Sequence, residues 1–151
     1  MKKIFVIACI IAFVVQYEDL NHFIVMLVVG DFDASQAWAN AFRHSSIESA
    51  FSAGFFRLIP FALLVLVTMC TNLSTNFRGK ATLLMGFVVT NIVIFLGYWS
   101  VTESLYTDAH ASSTSAINYF WAPIMATLFA SIACTVTYFS IWFSELVLKR
   151  A

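Results

Sequence analysis

Two places in this chain put groups capable of chemistry where an oily sequence would not be expected to carry them. The stretch QYEDLNHF, residues 16–23, sets Glu18, Asp19 and His22 between two apolar runs, and the stretch FFRLIPFALL, residues 55–64, sets Arg57 three residues ahead of Pro60. A guanidinium and a carboxylate in such surroundings are candidates for a charge-assisted ion pair, Arg57 with Glu18 or Asp19, because the planar fork of arginine matches a carboxylate. Glu18 and His22 also stand four residues apart, which puts them on one helix face. Two ligands do not make a metal site, and His44 and His110 would have to complete it from loops. The expectation is therefore a hydrated polar helix end, with no metal and no other cofactor. No histidine falls inside an apolar run to ligate a haem. No Ser/His/Asp set, phosphate loop or activated cysteine is visible either, so no catalytic residue is assigned and enzyme activity is not expected.

Composition fixes the setting. Of 151 residues, 61% are hydrophobic and 11% charged, against about a quarter charged in soluble domains, and the mean hydropathy is +0.87. The chain reads as an all-α integral membrane protein whose first partner is the lipid bilayer. Its zero net charge offers no basic footprint for nucleic acid. Cys9, Cys70 and Cys134 all lie in apolar runs, outside any zinc-like spacing, and read as small packing residues.

A crossing helix needs about 20 residues, and four stretches qualify: residues 4–22, 51–70, 81–101 and 117–148. Lys2 and Lys3 ahead of the first could introduce a signal peptide, but no small-residue cleavage site follows Val15, so an uncleaved span is expected. Lys2, Lys3, Arg78, Lys80, Lys149 and Arg150 then all fall on one side, which the positive-inside rule makes cytoplasmic. The expected object is a four-transmembrane-helix bundle, a single membrane domain over residues 1–151, in a bacterial inner membrane with both termini cytoplasmic. Residues 23–49 form an unusually long outer connection. Trp38 and Phe42, four apart among polar residues, suit a helix lying at the interface. Gly30 and Asp31 mark a break before it, and Asp33 or Ser35 is positioned to cap it.

Helix rise places Glu18 about 22 Å, and Arg57 about 21 Å, from the cytoplasmic face. Adjacent spans would thus bring the pair together in the outer leaflet; the alternative is that Arg57 reaches out to the headgroups. Asn91, near the middle of the third span, needs a partner, and Ser131 or Thr135 of the fourth lies at a suitable depth for a polar lock. Ala122, Ala126, Ala130 and Cys134 form a four-residue-spaced stripe for close helix packing, and Ser46, Ala50 and Gly54 a shorter one. Tyr98, Trp99, Tyr106, Tyr119 and Trp121 suggest an outer aromatic belt.

The stretches NHFIVMLVVGDFDAS, residues 21–35, and GYWSVTESLYTDAHASSTSA, residues 97–116, are similar to corresponding places in a bacterial family of predicted small four-span integral membrane proteins of unknown function. That family tends to have an Asn-Phe, a short apolar run and a Met-Asp-Thr at the first place, and a Gly-Glu-Trp-rich turn at the second. Here Glu103 is displaced, the Trp-Asn after the turn is missing, and Ala39-Asn40 stands where an Arg-Ala would follow the tryptophan. The resemblance implies the four-span topology and no activity. The expected function is a non-catalytic accessory or scaffold subunit, in a larger membrane complex or self-associated. The alternative is a small transporter or channel using Arg57, Pro60 and Asn91.

Overall fold

A backbone surrounded by lipid must satisfy its own hydrogen bonds, and a helix does so within one segment. In the computed structural model, which describes residues 2–43, 47–107 and 118–149, the chain is all-helical, with no strand among the described residues. The side chains of residues 47–51, 53 and 118 lie outside that description. The helices are α1 (Lys2–Val15), α2 (Glu18–Val28), α3 (Ala34–Ala41), α4 (Ile47–Cys70), α5 (Phe77–Thr107) and α6 (Asn118–Leu148), with a 3-10 turn at Leu73–Thr75 before α5.

Among the described residues, two helices are long and apolar enough to cross a membrane, Phe77–Thr107 and Tyr119–Leu148. A third crossing arises if α1 and α2 count as one bent span, and Gly54–Cys70 is a shorter apolar helix. The exterior is as oily as the interior. Ile132, Val136, Phe139 and Phe143 of α6 are each more than half exposed, a surface suited to lipid.

The first apolar segment departs from the expected straight span over residues 4–22. Its helix ends at Val15, Tyr17 is extended (φ −62°, ψ 133°), and α2 sets off at 59° to α1. The expected start of the outer connection at residue 23 therefore falls inside α2. The chain turns again after Val28, where Asp31 takes a left-handed φ of 54°. The Asp33 carboxylate then accepts from the amides of Ser35 at 2.8 Å and Gln36 at 3.0 Å, capping α3. The Gln36 amide foremost, with the Ser35 hydroxyl, holds that carboxyl below its ordinary value. Trp38 and Phe42 meet with ring centroids 4.4 Å apart. Ala37, Ala41 and Met26 form a small apolar cluster beneath α3.

The main core joins Cys9 and Ala12 of α1, Phe61 and Leu64 of α4, Ile94 and Tyr98 of α5, and Ala122 and Ala126 of α6. The stripe on α6 packs within the chain. Ala122, Ala126 and Ala130 are buried, and the two ends of the stripe meet α5, where a Cβ added at Gly97 would stand 2.5 Å from the Ala122 Cβ, and one at Gly86 2.5 Å from Cys134 Sγ. Small residues on both helices allow the backbones this approach. Gly54 is different: a Cβ there would meet the Arg57 guanidinium at an ordinary 3.7 Å, so no close crossing depends on it. Ser46 and the side chain of Ala50 lie outside the described residues. Of the cysteines, Cys9 is buried and Cys134 partly buried, whereas Cys70 is exposed and not the buried packing residue expected.

Helix ends gather at one end of the molecule. Lys2 Nζ donates to the carbonyls of Met69 (3.2 Å) and Thr71 (3.0 Å) at the end of α4, and Arg78 in the first turn of α5 pairs with Glu145 in the last turns of α6. Asn76 caps α5 by accepting from the Gly79 amide at 2.8 Å. Gly79 is obligatory there, because any Cβ would collide with the backbone of Leu73.

Candidate functional site

Arg57 is brought into the interior by α4, on the helix turn that leads to Pro60. It is only 4% exposed, so its charge needs partners inside the protein. One Nη1 supplies two hydrogen bonds: to the Glu18 carboxylate and, at 3.2 Å, to the carbonyl of Gln16. The guanidinium carbon also stands 4.9 Å from the ring centre of Phe13 and 5.2 Å from that of Tyr17, within cation–π range.

This set of partners explains the break between α1 and α2. A helix end leaves carbonyls without intrahelical donors, and one of those at the end of α1, that of Gln16, receives Arg57. A helix start carries partial positive charge and favours a carboxylate, and Glu18 is the first residue of α2. Arg57 thus splints the two ends together. The pairing is with Glu18; Asp19, beside it in the first turn of α2, also has interactions of its own.

One helical turn below, Gln16 Nε2 donates to Asn91 Oδ1 at 3.3 Å and to the Asn91 carbonyl at 3.2 Å, while Asn91 Nδ2 donates to the Phe87 carbonyl at 2.8 Å. The polar lock therefore joins α5 to α1, and not to Ser131 or Thr135 of α6. Those two hydroxyls donate to the carbonyls of Thr127 and Ser131 one turn back, at 2.7 and 2.8 Å, and both residues are exposed. A serine or threonine in a helix can satisfy itself in this way; a mid-helix asparagine cannot satisfy both amide groups so. Asn21 of α2 adds a further tie to α5, donating to the Phe95 carbonyl at 3.4 Å.

Above the ion pair the aromatic residues turn inward. Tyr98 is fully buried, its ring 5.3 Å from that of Tyr119, and Tyr119 OH lies 3.2 Å from Thr102 Oγ1. Trp99 is occupied by a 2.9 Å bond to Glu103, and Trp121 alone of the expected belt is about half exposed. Among the described residues, Arg57 Nε, Tyr98 OH and Asn21 Oδ1 are buried with no hydrogen-bond partner.

His22 Nε2 lies 2.8 Å from Tyr106 OH. Among the described residues no group of three or more His, Cys, Asp or Glu side chains converges as a metal site, and His44 and His110 lie outside them. An open pocket of about 330 Å³ reaches Arg57 between Phe13, Tyr17, Leu20 and Phe42. A second cavity, of about 160 Å³, is lined by Pro60, Leu64, Val67, Thr127 and Ser131 between α4 and α6. Each is walled mainly by apolar side chains.

Gln16 is the residue that sequence reasoning passed over. Its signal was spacing: Cys9, Ala12 and Gln16 lie on one face of α1, and all three are buried. No family model matches the chain, and no curated protein or solved structure is similar to it.

Proposed function

We propose that this protein is a non-catalytic helical-bundle subunit of a bacterial inner membrane, crossing it four times with both termini in the cytoplasm, and serving a larger membrane complex as accessory or scaffold. The observation that carries the reading is how the interior polar groups are used. Arg57 is taken up by Glu18 and Gln16, Gln16 by Asn91, and Asn21 by the Phe95 carbonyl. Each contact ties one helix to another and leaves few groups to attend a moving ion or a reacting substrate. In this reading α1 and α2 make one bent crossing and α4 another. The helix ends joined by Lys2, Arg78 and Glu145 form the cytoplasmic face, and α3 lies at the outer interface. The resemblance to the family of small four-span membrane proteins supports the same topology.

The function is tested by solubilising native membranes in mild detergent and resolving the protein on a native gel. The expected result is co-migration with a larger membrane partner in fixed stoichiometry. A protein that migrates alone, and in proteoliposomes conducts ions in a manner abolished by Arg57→Gln or Asn91→Leu, would replace this reading with the transporter or channel. Topology is tested separately with reporters fused after residue 76, after residue 110 and at the C-terminus. The middle fusion alone should report the outer side.

A further inference from the structure

Between α1 and the beginning of α5 runs a groove of about 470 Å³, lined by Phe5, Ser74, Phe77, Lys80, Leu83 and Leu84, within the usual range of about 300–1,000 Å³ for a ligand site. We propose that it holds an acyl chain of an anionic phospholipid, whose phosphate sits on the Lys80 ammonium.

Charge complementarity selects the occupant. Lys2 is engaged with the last carbonyls of α4, and Arg78 with Glu145. Lys80, one turn into α5, has no carboxylate partner among the described residues. Glu145, paired with Arg78, is the one described acid at this end, which also carries Lys2, Lys3, Lys80 and Lys149. The end as a whole therefore attracts anions, and a basic rim between membrane helices is a recognised setting for lipid phosphates.

The remainder of the groove suits a chain and not a free anion. Apart from Lys80 and Ser74, the walls are phenyl, leucyl and alanyl side chains, which offer nothing to inorganic phosphate. The groove is open sideways, since Phe77 is 75% and Leu84 60% exposed, so a lipid can enter from the bilayer. Its upper wall is fixed in advance, because Gly79 lets the 3-10 turn lie directly on α5 and Asn76 caps that helix. The inference rests on the membrane reading only in requiring a bilayer with the Lys80 end at its headgroups.

The test uses the full chain, stripped of lipid in detergent, with dioleoyl-phosphatidylglycerol and dioleoyl-phosphatidylcholine titrated in turn and bound lipid read by native mass spectrometry. Phosphatidylglycerol should bind at least about fivefold more tightly, the effect of one lysine near a lipid surface. Lys80→Gln should remove that preference, and Leu84→Trp, which fills the groove, should weaken both lipids. Helicity and lipid-free unfolding temperature should match wild type in both variants. Equal binding of the two lipids by wild type, a preference surviving Lys80→Gln, or displacement of lipid by millimolar inorganic phosphate would overturn the proposal. Retention of the protein in carbonate-washed membranes, scored on the same cells, separates a failure of the membrane reading from a failure of the lipid site.

Discussion

The described residues contain two arginine–glutamate pairs of identical chemistry and opposite circumstances. Arg57 and Glu18 are buried, with side chains 5% and 14% exposed; Arg78 and Glu145 are 20% and 40% exposed. Each arginine also faces aromatic rings, Phe13 and Tyr17 in one case and Tyr138 at 5.1 Å in the other. The difference lies in what either charge does without its partner. Arg78 can turn to water or headgroups, whereas Arg57, only 4% exposed, has at most an apolar-walled pocket to turn into. The same bond is therefore a structural necessity at the break between α1 and α2 and a modest tether where α5 meets α6.

The largest expected effect is Arg57→Leu, which strands Glu18 at the break between α1 and α2 and should cost about 3–5 kcal/mol, read as a lowered unfolding temperature and a lower yield of folded protein in detergent. Survival of this variant at wild-type stability would erase the contrast between the pairs. Next is Gly86→Leu, which forces a side chain onto Cys134 at the α5–α6 crossing and should cost about 1–3 kcal/mol; the same unfolding assay gives the answer. Arg78→Leu should lower the unfolding temperature far less than Arg57→Leu, with the wild-type contribution fading in high salt, and a loss as large as that of Arg57→Leu would mean exposure does not govern these pairs. The smallest effect lies in the Asp33 cap. Its carboxyl is held low in the folded chain, so the cap is complete above the ordinary Asp value of about 3.9 and is lost as pH falls through the lower folded value. Amide protection at Ser35 and Gln36, corrected for intrinsic exchange, should follow that course, and Asp33→Ala should show the unprotected level at every pH.

How legible these features were depends on the distance over which they are determined. The Asp33 cap is a contact between residues two and three apart, so local chemistry predicts it. The stripe on α6 announces its packing face through regular spacing, although nothing in it names Gly86 and Gly97 as the opposing surface. The break at Gln16 and Tyr17 has neither glycine nor proline to mark it. It depends on an arginine 41 positions later in the chain, and until α4 is placed beside it, residues 4–22 read as one straight span. Asn91 shows a subtler error. Depth brought Ser131 and Thr135 within range, but hydroxyls that bond their own helix have no need of a distant amide, and the long Gln16 side chain did. Within the expected aromatic belt, the burial of Tyr98 was not legible for a related reason: a tyrosine at a helix end serves an interface or a core equally well, and its place is decided by what α6 packs over it.

The central claim is that the interior polar groups exist to hold helices to one another, and a double-mutant cycle on Arg57 and Glu18 tests it most directly. Wild type, Arg57→Leu, Glu18→Leu and the double variant are unfolded under one set of conditions in lipid nanodiscs. The account predicts that each single variant is strongly destabilised and that the double variant is more stable than either. Losses that simply add would mean that the two residues do not brace one another, and would contradict it.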